Sequence, residues 1–319
     1  MKKVRKKNRN RIKAKATRLT ALLVSVLILS ALAEVQFIGK VSAAGYTEYT
    51  GTLGDAEFAV RFPDNWNGML VVQCRGWWPS LQTAVDVLSM FNDTVNELVN
   101  QGFVVAASNY GAAGFCIQKG IDSIYELTTY LVETYDVTGK IFLWGISMGG
   151  AVALLLGEKY PNIYSGVLDM YGVKDLKELY TFSGETGKTM YEVETGGTPT
   201  THPKAYEDRS PTYHANITIP VITIHGTSDI VVPFNQSIMY QTAVANAGRS
   251  NLYRLYNVTG VGHLSPAIDA EVPLRFAELV AWAEIIPEGL TIGVMLLLST
   301  VAAIVGISIL RKRPKWKRR

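Results

Sequence analysis

The sequence predicts an α/β domain, a mostly parallel, doubly wound sheet with helices on both faces and one lid-like insertion. Three observations predict it. Short apolar runs alternate with amphipathic segments of helical period, at the spacing of right-handed crossovers. A glycine-flanked serine, Gly145-Ile146-Ser147-Met148-Gly149, joins one such run to an apolar helix. Two later strands end in loops that carry an aspartate and a histidine.

The elements follow in order. Thr47–Leu53 and Glu57–Phe62 read as a hairpin, and Met69–Cys74 as a buried strand broken by Arg75-Gly76-Trp77-Trp78-Pro79. From Ser80 to Asn100 apolar residues recur every three or four positions, which predicts one amphipathic helix. Further strands are expected at Gly102–Ala107, Lys140–Trp144, Val167–Met170, Val221–His225 and Leu252–Tyr256. Helices are expected near 120–135, at 148–159, at 236–247 and at 269–285. Gly172 to Ile219 has no strong sheet period, apart from a helix around Lys174–Phe182. As a long insertion at the carboxyl ends of strands it is placed to act as a lid, a plain surface excursion being the alternative.

The ends of the chain have a different character. Of 31 Lys/Arg in 319 residues, eleven lie in residues 1–40 and seven in 311–319, which leaves the middle strongly acidic despite a formal charge of +4. The basic residues of that middle are scattered, so no nucleic-acid footprint is present. Residues 1–44 read as a signal peptide or an N-terminal anchor: a basic start, an apolar run Leu19–Ala33, and small residues Val41-Ser42-Ala43-Ala44 suited to cleavage. Leu290 to Leu310 is uncharged and long enough to span a bilayer, and the basic tail 311–319 belongs on the cytoplasmic side. Residues 45–285 are then a domain outside the cell, with 286–310 as its membrane segment. Cys74 and Cys116, an even number in an external domain, suggest a disulfide, with two buried thiols as the alternative. Sequons at Asn92, Asn216, Asn235 and Asn257 are compatible with an external surface.

A serine between a strand and a helix, with glycine two positions before and after, forms a turn tight enough to lift its hydroxyl clear of the backbone. The hydroxyl needs a histidine to take its proton and a carboxylate to hold that histidine. Asp229, after the Val221–His225 strand, and His263, after the Leu252–Tyr256 strand, lie in the expected order and on the same sheet edge as Ser147. Asp169 also ends a strand and is the alternative acid; His225 reads as a structural loop-holder. The oxyanion donors are expected at the Met148 N–H and, from the loop after Met69–Cys74, the Trp77 N–H. Arg75 and Trp78 are the candidate substrate contacts. A Cys74–Cys116 bridge would tie this loop to the Ser108–Cys116 loop. No His/Cys cluster has metal spacing and no cofactor is implied.

Together these motifs resemble the α/β-hydrolase superfamily, in particular its secreted esterase and prolyl-oligopeptidase-like branches. The residues that carry the resemblance are Asn65-Trp66-Asn67-Gly68, Gly102-Phe103-Val104-Val105-Ala106, Leu143 to Gly150, Ile224 to Pro233, and Gly262-His263. One departure is Arg75-Gly76, where many relatives have His-Gly. The resemblance implies a serine hydrolase acting on a small-molecule or polymer-borne ester; a peptidase or amidase using the same triad, or a non-catalytic binding protein on this scaffold, are the rivals. The Ile286-Pro287-Glu288-Gly289 entry, the span and the basic tail resemble archaeal surface sorting signals of the PEF type, with Gly289 where that family has Phe. That resemblance implies a sortase-like processing enzyme that exchanges the span for a lipid; permanent anchoring at the cell membrane is the default expectation.

Overall fold

The structure is a computed structural model and describes residues 35–43, 45–135, 137 and 139–285. The apolar runs Leu19–Ala33 and Leu290–Leu310, the basic tail and the sorting-signal resemblance lie outside the described residues. Among the described residues no helix is long and apolar enough to cross a membrane.

The elements are β1 (Val35–Ala43), β2 (Tyr46–Leu53), β3 (Ala56–Pro63), β4 (Leu70–Cys74), α1 (Ala84–Ser89), α2 (Asn92–Asn100), β5 (Val104–Ser108), α3 (Ile117–Thr134), β6 (Ile141–Ile146), α4 (Met148–Lys159) and β7 (Gly166–Met170). They continue with α5 (Leu176–Phe182), α6 (Glu185–Thr195), α7 (Pro203–Asp208), β8 (Val221–Gly226), α8 (Asn235–Asn246), β9 (Tyr253–Val258), α9 (Pro266–Asp269) and α10 (Val272–Ile285). One nine-stranded sheet has the order β1-β2-β3-β5-β4-β6-β7-β8-β9. Strands β4 to β9 are mutually parallel, and β1–β3 add an antiparallel extension on β5.

Strand alternation sends side chains to two apolar layers. Leu70, Val72 and Leu143 face α3, α4 and α8. Val71, Phe142, Trp144 and Ile222 face α1, α2 and α10. Helix α4 is apolar all round and buried from Met148 to Gly157, as a helix packed on every side must be.

Three local expectations change. The 80–100 segment is two helices. A capping box between Thr83 and Asp86 starts α1, and Phe91 leaves the helical backbone to pack edge-on against Trp144 at 5.6 Å. The 172–219 insertion is mostly helical and docked: Tyr191 of α6 meets Phe115 at 4.8 Å, and the Glu194 carboxylate accepts from the Gln118 N–H at the start of α3. Strand β1 pairs with β2 from Val35↔Leu53 to Ala43↔Tyr46, so the sheet takes in residues that the sequence places in the leader.

Candidate active site

Every loop that matters leaves the carboxyl edge of a parallel strand. Ser147 follows β6 with φ 54°, a left-handed conformation that L residues avoid at a cost of roughly 1–3 kcal/mol. It is held there by its N–H to Met170 O (3.0 Å) and by the N–H groups of Gly150 and Val173 on its own carbonyl. A Cβ on Gly145 would stand 2.7 Å from Gly149 O, and one on Gly149 would stand 2.0 Å from Cys74 O, so both glycines are obligatory. Gly150 is a third. Its Cβ would meet the Asp169 carboxylate at 2.2 Å.

Ser147 Oγ lies 3.0 Å from His263 Nε2, and His263 Nδ1 lies 2.6 Å from Asp229 Oδ2. The imidazole thus donates from Nδ1 to the carboxylate and accepts from the serine hydroxyl at Nε2. Asp229 Oδ1 accepts the N–H groups of Val231 (2.8 Å) and Val232 (3.0 Å). Burial alone would push the Asp229 carboxyl up. Hydrogen bonds from His225 and His263, the His263 charge and the Val231 N–H outweigh it and hold the group well below the usual carboxylate range.

The structure brings Ser147, His263 and Asp229 together; it places Asp169 elsewhere. Asp169 is buried beneath the elbow, where its Oδ2 accepts from Lys174 Nζ and from Thr223 Oγ1 at 2.9 Å. Burial lowers the Lys174 pKa and the Asp169 charge opposes that shift. Tyr171, which sequence reading did not single out, lies with its ring 4.4 Å from the His263 ring and walls that face of the imidazole. Its place immediately after β7 on the active edge was the available signal.

The oxyanion loop corrects two expectations. Gly76 abuts the nucleophile, since a Cβ there would stand 3.4 Å from Ser147 Cβ. Among the described residues no backbone acceptor takes the N–H of Met148 or of Trp77. Arg75, expected to contact substrate, is only 3% exposed. Its guanidinium donates to Asn109 O (3.1 Å), Gly76 O (2.8 Å), Ala112 O and Cys116 Sγ (3.2 Å), above the Tyr110 ring at 4.4 Å. Cys74 and Cys116, expected to be bridged, are free thiols. Cys74 points into the α3/α4 layer and Cys116 accepts from Arg75. Burial pushes both thiols up, for Cys116 against the pull of the Arg75 charge. Arg75 does the tying that the disulfide was expected to do. Trp78 clamps the same two loops through its carbonyl, which accepts from Gly114 N–H at 2.7 Å, and Trp77 is exposed beside them.

A cleft of about 540 Å3 lies away from the triad, between α1–α2 and α9–α10, lined by Phe91, Asp93, Glu97, Asp269 and Pro273 among others. Among the described residues no group of three His, Cys, Asp or Glu is placed to hold a metal.

The sheet order, the elbow after β6 and a Ser–His–Asp arrangement on one edge are those of the α/β-hydrolase fold. The family model of the prolyl oligopeptidase family matches residues 117–286, more than half the chain, and the protein belongs to that family. No curated protein matches the chain. Among solved structures, a puromycin-hydrolyzing peptidase of Mycobacterium tuberculosis is similar at TM-score 0.57 and 20% identity, over 73% of this chain and 37% of that one. A prolyl endopeptidase structure is similar at TM-score 0.62 and 17% identity, over 77% and 40%. A truncated carbohydrate esterase from gut microbiota is similar at TM-score 0.59 and 17% identity, over 76% of this chain and 100% of that one. The chain therefore spans about 40% of the length of the two peptidase structures.

Proposed function

We propose that the protein is a membrane-tethered serine hydrolase that cleaves carboxylic esters outside the cytoplasm. The observation that carries the chemistry is the hydrogen-bonded relay of 3.0 Å from Ser147 to His263 and 2.6 Å from His263 to Asp229. Ser147 Oγ attacks the ester carbonyl carbon while His263 Nε2 takes the hydroxyl proton. Asp229, held ionised, stabilises the imidazolium through Nδ1. The Met148 and Trp77 N–H groups receive the developing oxyanion. The intermediate collapses, His263 protonates the departing alcohol, and water repeats the sequence on the acyl-enzyme.

The ester reading is supported by the similarity to the carbohydrate esterase, a truncated form of which aligns along its whole length. The family match supports the second reading, a peptidase or amidase. Tethering is supported by the sequence of residues 290–310 and the basic tail, with the basic and apolar segment ahead of β1 directing export and a sortase-like trimming of the C-terminus as a variant. On this reading the catalytic edge points away from the bilayer. The last turn of α10 lies at the opposite edge of the sheet, where Lys140, just before β6, donates to Ala283 O.

The test is turnover of p-nitrophenyl esters against peptide anilides by the full chain. Ester turnover with a kcat/KM at least ~100-fold above anilide turnover is expected, given the difference that a placed polar or apolar contact makes. Anilide turnover without ester turnover moves the assignment to the peptidase.

A further inference from the structure

We infer that His225 is a positioning residue of the triad, donating from Nε2 to the same carboxylate oxygen that accepts from His263, and so locking Asp229 in line with the base. The inference rests on the catalytic reading of Ser147, His263 and Asp229.

His225 is the penultimate residue of β8, four residues before Asp229, and is fully buried. Its Nε2 lies 2.9 Å from Val232 O and 3.3 Å from Asp229 Oδ2. Both neighbours are acceptors, so a bare nitrogen there would face two sets of lone pairs. Nε2 therefore carries the proton and shares it between carbonyl and carboxylate. Nδ1 lies 2.7 Å from Ser237 Oγ of α8, whose hydroxyl donates to it when the ring is neutral. Phe234 packs edge-on against the ring at 5.5 Å and keeps it from rotating.

The consequence falls on Asp229. Oδ1 is fixed by the Val231 and Val232 N–H groups, and Oδ2 by two imidazoles. Val232 serves twice, with its N–H on Oδ1 and its carbonyl on His225, so the loop from Gly226 to Pro233 closes around the carboxylate. Without the Nε2 donor, Oδ2 keeps one tether and the Val232 carbonyl loses its partner. A carboxylate displaced by about 1 Å from His263 Nδ1 can cost ~10²-fold in rate. His225 is buried and touches no substrate, so the loss belongs in kcat.

Two substitutions separate its two contacts in the full chain. His225→Gln places an amide N–H near the Nε2 position; His225→Asn places one near Nδ1 and abandons Asp229. With p-nitrophenyl acetate as substrate and a fluorophosphonate probe of Ser147, His225→Gln should stay close to the unsubstituted protein. His225→Asn should lose roughly 10- to 100-fold in kcat and in labelling rate at unchanged KM. Equal activity of the two variants, or a loss that appears in KM, overturns the inference. Should His225→Asn not fold, the 15N spectrum of the unsubstituted protein decides: a proton on His225 Nε2 supports the inference, and a ring protonated on Nδ1 alone overturns it. Failure of the triad reading looks different, since the unsubstituted protein would then show no Ser147-dependent labelling.

Discussion

Arg75 keeps a guanidinium almost wholly out of water, and its partners are three carbonyls, a thiol and the face of Tyr110. Only a planar fork can reach Asn109, Gly76 and Ala112 at once, and those carbonyls belong to the two loops beside Ser147. Arg75→Lys, which keeps the charge and loses the fork, is therefore expected to lower kcat/KM at least ~10-fold by releasing the oxyanion loop. The check is steady-state kinetics beside a melting curve, with the Tm falling by several degrees. In the cleft away from the triad, Asp269 of α9 is a carboxyl with a buried, unpartnered Oδ1, and burial pushes it up to about 6. A carboxyl raised in the folded state binds its proton more tightly there than in the unfolded chain. Folding then loses stability as pH rises from the ordinary carboxylate range, about 4, through 6, and stays lower above that. Asp269→Asn should accordingly raise the Tm at pH 8 by roughly 2–4 °C, the scale of about 1 kcal/mol in a domain this size, and leave it unchanged near pH 4. Thermal melts at the two pH values decide this. The residues of the relay were legible in the sequence because chain order and strand ends specify them. Arg75 was not: a positive side chain beside a nucleophile reads as a substrate contact until its burial and its three carbonyl partners are seen.

Elements were legible where one physical signal dominates. The buried strands β4 to β8 are mainly apolar runs, and α4 is apolar from Met148 to Gly157, so their places followed from composition. The α1–α2 break was hidden because Phe91 continues the helical period while its backbone leaves the helix. Helix α6 was hidden for the opposite reason. It buries only Tyr191 and Thr195, too few to impose a period on its sequence. Strand β1 was read as leader because Val41-Ser42-Ala43-Ala44 has the small residues of a cleavage site, whereas its pairing depends on a partner, β2, further along the chain. That pairing has a measurable consequence. Cleavage after Ala44 would strip β1 from the sheet, so the mature N-terminus should lie at or before Val35. N-terminal sequencing of the protein isolated from its source cells checks it, and a start at Gly45 would contradict the pairing.

At the scale of the molecule, six loops from six parallel strands converge on one edge. Those after β4 and β5 supply the oxyanion loop and its Arg75 clamp, that after β6 the nucleophile, and those after β7, β8 and β9 Tyr171, Asp229 and His263. This convergence is a property of the parallel sheet, and it explains why residues more than a hundred positions apart in sequence meet within hydrogen-bond distance. The substrate groups that suit the site were not legible, because they depend on how Trp77, Trp78 and the docked α5–α7 insertion shape the approach to Ser147. The most direct test of the central claim is intact-mass analysis of the full chain after reaction with a fluorophosphonate. One adduct, on Ser147, absent from Ser147→Ala and strongly slowed in His263→Ala, is the predicted result; an adduct that persists in Ser147→Ala, or none on the unsubstituted protein, would contradict it.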